Sequence, residues 1–144
     1  MYAKYNLNPV QFVPQTKFPE HVWCKVKSKD GIELLIGVCY NSSNGKIFSS
    51  DTHLLLRQLV CEVSQYHVLI VGDFNYPDIH WETLAATDRA STKSTDAKLF
   101  VECLMDNFYT QQVTQPTRGT AVLDLVITSE PDMVDELLVL EGLG

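Results

Sequence analysis

Hydrophobic and polar positions follow two periods along this chain, and each period predicts a type of secondary structure. Residues 22–27 alternate in polarity, which predicts a half-exposed strand with its valines and cysteine facing inward and Trp23 facing solvent. Turn-forming residues at 29–31 come next, and 33–40 is a largely apolar run that predicts a buried strand. Together the two strands predict a β-hairpin.

Apolar residues recur at helical spacing in two further segments. A first helix is predicted to begin near Ser49 or Ser50, where Asp51 would favour the positive end of the helix dipole. Its sheet-facing residues are predicted to be Leu55, Leu56, Leu59, Val60 and Val63. A second helix is predicted from Ser94 or Thr95. Its buried residues are predicted to be Leu99, Phe100, Cys103 and Leu104.

The remaining segments complete an alternating series of strands and helices. They are a short buried strand at Val68–Val71, a long loop over 76–94, a short strand near Val113, a turn over 116–120, a strand at Val122–Thr128 and the start of one more strand after Glu130-Pro131. This alternation indicates an α/β sandwich. Residues 1–20 are polar and interrupted by prolines, so we expect a loosely ordered lead-in over 1–21 and one domain over 22–144.

Two polar residues follow the Val68–Val71 strand and are the first candidates for chemistry. In extended backbone, Asp73 and Asn75 would project to the same face, and Phe74 would point the other way into the core. Open α/β sheets place their sites at the carboxyl ends of strands, where an acceptor beside a neutral donor could orient a water and hold a phosphate oxygen. A strand-to-loop cap, with Asp73 bonding the next turn, is an equal alternative from these residues alone.

The sequence around this strand end resembles the central motif of the endonuclease/exonuclease/phosphatase superfamily, whose fold is DNase I-like. Gly72-Asp73-Phe74-Asn75, followed by Pro77-Asp78-Ile79-His80-Trp81, is most similar to the endonuclease domain of non-LTR retrotransposons. Two more matches occur in the family's order: Ile36-Gly37-Val38-Cys39-Tyr40, and Gln115-Pro116-Thr117-Arg118 followed by Leu123-Asp124-Leu125-Val126-Ile127-Thr128-Ser129. The resemblance extends from about Trp23 to the C-terminus.

The resemblance implies a partial DNase I-like α/β sandwich, with mixed, largely antiparallel sheets flanked by helices. It also implies a DNA endonuclease that hydrolyses a phosphodiester with an activated water and uses Mg²⁺. By that resemblance, Asp73 orients or deprotonates the water, Asn75 steadies the scissile phosphate and Tyr40 donates to a phosphate oxygen.

Asp124 interrupts an apolar strand, and a buried carboxylate is costly unless it is paired. We expect its side chain on an interior face with Val122 and Val126, where the resemblance implies a histidine partner that the aspartate would align. The alternative is a strand register that points Asp124 to solvent.

Four further residues are candidates for substrate binding. Arg118 and Thr117 would contact a DNA phosphate or support their own loop. Trp81 would stack on a base or, as the favoured alternative, anchor its loop. Asn44, in the loop that follows Tyr40, is the fourth candidate.

Parts of the family's pattern have no counterpart in this sequence. The metal-binding glutamate expected before Trp23 and the histidine expected after the C-terminal Leu-Gly are not found, and Asn41-Ser42-Ser43 stands where the family shows Arg-Pro-Pro. We therefore expect a domain clipped at both ends, an incomplete Mg²⁺ site and little or no activity for the chain alone. The alternatives are a non-catalytic relic or interaction module, able to self-associate through exposed sheet edges, and a phosphatase or RNA phosphodiesterase of the same superfamily.

Charge and composition narrow the class of protein. A net charge of −7 argues against a free-standing nucleic-acid binder, whose affinity depends on Lys and Arg, but not against a nuclease whose metal ions carry positive charge. With 45% hydrophobic residues and apolar runs too short for a membrane span, we expect an intracellular protein of the cytoplasm or nucleus. The four cysteines predict buried thiols, and the four histidines lack ligand spacing and predict surface or strand-edge positions.

Overall fold

The computed structural model describes residues 7–42, 50–82, 85–86 and 92–140. The strands are β1 (Val10–Phe12), β2 (His21–Lys27), β3 (Glu33–Tyr40), β4 (His67–Asp73), β5 (Ile79–His80), β6 (Ala85–Ala86), β7 (Thr110–Gln111) and β8 (Asp124–Thr128). The helices are α1 (Ser50–Val63) and α2 (Thr92–Asp106), and a 3-10 turn spans Pro131–Met133. Six strands form one sheet in the order β1-β2-β3-β4-β8-β7, while β5 and β6 form a separate short hairpin.

The six-stranded sheet combines antiparallel and parallel pairs. β2 and β3 form the predicted antiparallel hairpin, with Gly31 at a φ of 82° in its turn. β3 and β4 are parallel, and α1 supplies the crossover that a parallel pair requires. β4 then pairs antiparallel with β8. A mixed sheet with two helices confirms the predicted α/β class and is consistent with a partial DNase I-like sandwich.

One face of the sheet packs against both helices and forms the core. The sheet contributes Trp23, Leu35, Cys39, Val68, Ile70, Leu125 and Ile127, and the helices contribute Leu56, Leu59, Val60, Val63, Ala97, Phe100, Val101 and Leu104. Every one of these side chains is at most 4% exposed. Full burial of an aliphatic or aromatic side chain contributes about 1.5–3 kcal/mol, so this cluster is the main attraction between the helices and the sheet.

The opposite face of the sheet is apolar and only partly covered by the described residues. It is lined by Leu34, Ile36, Val38, Leu69, Val71 and Val126, all of intermediate exposure. Val22, which pairs with Val38 in the hairpin, lies on the same face and is 49% exposed. The two faces of the sheet therefore differ in solvent contact although both are hydrophobic.

The predicted orientation of β2 is wrong for Trp23 and Val22, although Val26 is buried as predicted. Trp23 is 2% exposed and belongs to the core, whereas Val22 is 49% exposed. The reason lies on the neighbouring strand, where Gly37 is the register partner of Trp23. A Cβ at Gly37 would come within 2.2 Å of the indole ring, so the missing side chain is what makes room for it. Polarity alone assigned the tryptophan to the wrong face because the space that accepts it belongs to another strand.

The two predicted helices are present, with one difference in the second. In α1 the predicted inward residues are buried or packed against the core. In α2, however, Leu99 is 38% exposed, although it was predicted to be buried. The buried positions follow a spacing of three, one and three residues, namely Ala97, Phe100, Val101 and Leu104. This stripe sets the rotation of the helix and turns Leu99 outward.

The chain before β2 contains structure that its composition did not predict. β1 pairs with β2, and Phe18 is only 2% exposed. Glu62 of α1 holds this segment by accepting hydrogen bonds from the backbone N–H groups of Gln15 and Thr16 and from the Thr16 hydroxyl. Residues within 7–20 are thus attached to the sheet and to α1, while the division of the chain at 21/22 stays a prediction.

The structure also tests the predictions for the segment after Pro131 and for the cysteines. Residues 134–140 form no strand, although the start of one was predicted after Pro131. Cys39 is buried, and that burial raises its pKa to about 12, but Cys61 is exposed rather than buried. Among the described residues, no helix has the length and apolar character needed to cross a membrane.

Candidate active site

Three of the predicted site residues lie at the ends of neighbouring strands. Tyr40 ends β3 and pairs in register with Asp73, which ends β4. Asp73 in turn lies directly opposite Asp124, the first residue of β8. Directly opposed residues of an antiparallel pair have Cβ atoms about 4.5–5.5 Å apart, so the two carboxylates are close neighbours. The register thus brings a phenol and two carboxylates to one edge of the sheet, on the face away from the helices.

A guanidinium group reaches this edge from the turn before β8. Arg118 Nη2 lies 3.0 Å from Asp73 Oδ2. The Arg118 side chain is 62% exposed and the Asp73 side chain is 13% exposed. Like charges that face each other across two strands repel, and the arginine offsets part of that repulsion. An ion pair with one exposed partner contributes about 0–1 kcal/mol to the free energy of unfolding, so the main effect of this pair is to position the two charged groups.

Thr117 positions the start of β8 from inside the same turn. Its Oγ1 accepts hydrogen bonds from the backbone N–H groups of Leu123, at 3.0 Å, and Asp124, at 3.1 Å. The backbone N–H groups of Thr117 and Arg118 both donate to the carbonyl of Ala121. Of the two predicted roles for Thr117, support of its own loop is the one these bonds describe.

Asn75 lies in a left-handed turn rather than in extended backbone. β4 ends at Asp73, and Asn75 has a φ of 54°, so the predicted side-by-side projection from one strand is wrong. Asparagine tolerates this conformation better than most residues. Phe74 does point into the core as predicted: it is fully buried, and its ring centroid lies 5.4 Å from that of Phe100. The turn is therefore anchored by the residue between the two polar side chains.

A polar network on the helix side supports the residue after Asn75. The Tyr76 hydroxyl lies 2.8 Å from His53 Nδ1, and His53 Nε2 lies 3.9 Å from Asp96 Oδ2. Arg57 Nη1 is 3.4 Å from the other oxygen of Asp96. Burial raises the pKa of Tyr76, which keeps its hydroxyl protonated. His53, predicted at a surface or strand-edge position, has a side chain only 15% exposed and contacts Tyr76 and Asp96 of α2.

Asp124 does not lie on the interior face that was expected for it. Asp124 is exposed, whereas Leu123, Leu125 and Ile127 are buried. The strand alternates, and the helices cover its odd-numbered positions, so the even-numbered Asp124 faces away from them. The alternative register, which points Asp124 to solvent, is the one observed.

Of the last two candidates for substrate contact, Trp81 lies within the described residues and Asn44 does not. Trp81 is partly buried and packs against the core, which agrees with the favoured interpretation that it anchors its loop. Asn44 lies outside the described residues. Substrate contact by either residue stays a prediction.

The described residues fit a Mg²⁺ ion only in part. Asp73 and Asp124 supply carboxylate oxygens, which Mg²⁺ prefers, and the buried Asp73 Oδ1 has no hydrogen-bond partner. In the described ranges, however, three or more His, Cys, Asp or Glu side chains do not come together as a possible metal site. Within the described residues, the two facing carboxylates therefore supply only a fraction of a Mg²⁺ ligand set.

Sequence reasoning missed Asn41, which adjoins the site. Asn41 directly follows Tyr40 and is only 1% exposed. Its backbone N–H donates to the carbonyl of Asp73 and its side-chain amide to that of Phe74. The signal was available, since Asn41 is a polar residue immediately after a buried strand, the same feature that identified Asp73.

A comparison with protein families identifies the family of this chain. A family model described as endonuclease-reverse transcriptase matches residues 34–142, which include the strand ends of β3, β4 and β8. No curated protein matches the chain. Because the family match covers more than half of the sequence, this protein belongs to the endonuclease-reverse transcriptase family and carries an endonuclease-like domain.

Proposed function

We propose that this protein hydrolyses a phosphodiester bond of DNA with an activated water. The observation that carries the proposal is the register of the three strand ends, which sets Tyr40, Asp73 and Asp124 side by side with Arg118 bound to Asp73. Phosphoryl transfer requires positioning and charge stabilisation more than covalent chemistry, and these groups supply both.

Each side chain has a role that its chemistry allows. The Asp73 carboxylate accepts a hydrogen bond from the attacking water and takes its proton as the oxygen bonds to phosphorus. The Asn75 amide and the Tyr40 hydroxyl donate to phosphate oxygens while the bond to the leaving oxygen breaks, and that oxygen takes a proton from solvent water. Arg118 keeps 62% of its side chain exposed while it is bound to Asp73, and we assign it to contact with a second phosphate when DNA approaches. Asp124 adds negative charge that holds Arg118 near the site.

The two facing carboxylates, Asp73 and Asp124, supply only part of a Mg²⁺ ligand set, which supports slow turnover by this chain alone. The resemblance to non-LTR retrotransposon endonucleases implies Mg²⁺, and Asp73 and Asp124 are the carboxylates that would hold it and let it offset charge on the phosphate. Removing one member of a catalytic group that acts as a unit can abolish most of the rate enhancement. We therefore infer a phosphodiesterase whose activity is weak in the absence of further ligands.

Nicking of supercoiled plasmid by the purified protein tests the proposal. The expected result is slow nicking that requires Mg²⁺, stops with EDTA and is lost in Asp73→Ala. A matched control is Asp78→Ala, which removes another carboxylate of the same segment. Nicking that survives Asp73→Ala would contradict the assigned role, and a folded protein that neither binds nor nicks DNA would contradict the function. Parallel assays with RNA and a phosphoinositide distinguish the other substrates of the superfamily.

One observation favours a second candidate, a module that associates with another protein chain. The sheet face opposite the helices is apolar and partly exposed, and β1 and β7 are edge strands whose outer sides pair with no strand of the described residues. Self-association through these surfaces would appear as a concentration-dependent sedimentation coefficient in analytical ultracentrifugation. A monomer at all concentrations would leave the phosphodiesterase as the supported function.

A further inference from the structure

Asn41 connects the end of β3 to the turn that carries the proposed catalytic residues. Its backbone N–H donates to the carbonyl of Asp73 at 2.7 Å. Its side-chain Nδ2 donates to the carbonyl of Phe74, also at 2.7 Å. One buried residue thus binds two successive carbonyl groups, those of the two residues that immediately precede Asn75.

These two bonds act where the regular sheet ends. The backbone N–H of Phe74 donates to the carbonyl of Leu123, so the peptide after Asp73 is held from the β8 side as well. Asn75 then adopts a φ of 54°, a left-handed conformation that asparagine tolerates better than most residues and that the surrounding contacts select here. With β8 on one side and Asn41 on the other, the direction of the Asn75 side chain is decided by neighbours far away in the sequence.

The side-chain amide of Asn41 can make this contact in one orientation only. A carbonyl oxygen accepts hydrogen bonds and cannot donate, so the NH₂ group must face Phe74 and the Oδ1 atom must face away. An aspartate at position 41 would place a carboxylate oxygen against that carbonyl and repel it. The contact therefore depends on asparagine itself, and not merely on a polar residue of similar size.

We propose that Asn41 is a positioning residue for the Asp73–Asn75 turn. Its amide holds the carbonyl of Phe74 so that Asn75 keeps its left-handed conformation and its side chain stays at the end of β4 with Asp73. The catalytic consequence rests on the proposed function, whereas the conformational consequence does not. Asn41, which stands at the arginine position of the family's Arg-Pro-Pro, would then have a positioning role in this chain.

The test compares Asn41→Asp and Asn41→Ala with Asn107→Asp and Asn107→Ala. Asn107 is a matched control because its Nδ2 also donates to a backbone carbonyl, that of Cys103 at 2.8 Å. Asn107 lies near the start of β7, which pairs with the Thr128 end of β8, the end away from Asp124. Asn41→Ala introduces no buried charge and serves as the second variant should the aspartate prevent folding.

The first readout is conformational and needs no activity. In NMR, the HN–Hα coupling of Asn75 should change and hydrogen exchange at residues 74–76 should accelerate roughly tenfold in the Asn41 variants alone. Where the wild type nicks DNA, kcat should fall at least several-fold in these variants with KM for DNA unchanged. An unchanged Asn75 coupling and exchange rate in a folded Asn41 variant would overturn the proposal. A wild type without activity would count against the proposed function only, since the NMR result would still decide the role of Asn41.

Discussion

Replacing Gly72 with alanine is expected to be far more costly than replacing a glycine in an open turn. Gly72 directly precedes Asp73 and has a φ of 148°. An added Cβ would lie 1.8 Å from the carbonyl oxygen of Cys39 and 2.8 Å from its carbonyl carbon, both in the backbone of β3. Backbone in the middle of a sheet cannot rotate aside as a side chain can. The clash is therefore relieved only by separating β3 from β4 next to Tyr40 and Asp73.

The magnitude follows from two contributions. A residue held in a disfavoured backbone conformation costs about 1–3 kcal/mol. Forcing extra atoms into a packed region costs about another 1–3 kcal/mol. The expected loss for Gly72→Ala is thus roughly 2–6 kcal/mol, a large part of the 5–15 kcal/mol that stabilises a typical domain.

Gly31 provides the matched control for this prediction. It also has a positive φ, 82°, but an added Cβ there would meet no atom within 4 Å. Gly31→Ala should therefore cost only the conformational part, roughly 1–2 kcal/mol. Urea unfolding followed by tryptophan fluorescence would measure both losses, with the m-value checked for change. Equal losses at the two positions would refute the reasoning, because the close approach to Cys39 would then contribute nothing.

Three other predictions concern stability. Acid should destabilise the fold through two groups: burial lowers the pKa of His21, and at Glu62 hydrogen bonds lower the pKa although burial raises it. At both groups the unfolded chain binds more protons than the folded protein, so the free energy of unfolding should fall as the pH drops. The first fall should begin below pH 6.5, the ordinary pKa of histidine, and the second should follow below 4.5, the ordinary pKa of glutamate. In urea titrations at several pH values, Glu62→Gln should remove the second fall. Thr117→Val should lower the free energy of unfolding by about 1–3 kcal/mol, measured by thermal unfolding, because two backbone N–H groups lose their acceptor. Thr117→Ser keeps the hydroxyl, so a comparable loss in that variant would contradict this role. Phe74→Ala should cost about 3–5 kcal/mol by calorimetry, against about 0.5 kcal/mol or less for Phe108→Ala, whose side chain is 86% exposed; similar costs would show that Phe74 is not an anchor.

Local patterns were sufficient where one period dominates a segment. β3 has the bounds 33–40 that its apolar run predicted, and α1 begins at Ser50 and buries the residues that its spacing predicted. In both cases, one face of a regular element is buried, and the period of its hydrophobic residues reports that face directly. Phe74 is buried as predicted, although it lies in the turn after β4 and not in the extended backbone from which its burial was inferred.

Local patterns failed where a second segment decides the environment. The inward position of Trp23 depends on the absence of a side chain at Gly37, a residue on the next strand. Asn41 is buried because carbonyl groups of β4 and the turn after it accept its hydrogen bonds. Residues this far apart leave no periodic signal in a single sequence.

The order of residues along the chain was enough to identify the central strands, both helices, the family motifs and several polar residues at strand ends, because these depend on spacing within short segments. Whether those residues form a site was decided by strand pairing. Asp73 and Asp124 become neighbours only because β4 and β8 pair in one register, and a shift of one residue would turn Asp124 to the helix side. That register depends on which apolar face of β8 the helices cover. Burial of Leu125 and Ile127 in the core is thus the physical reason that the two carboxylates meet.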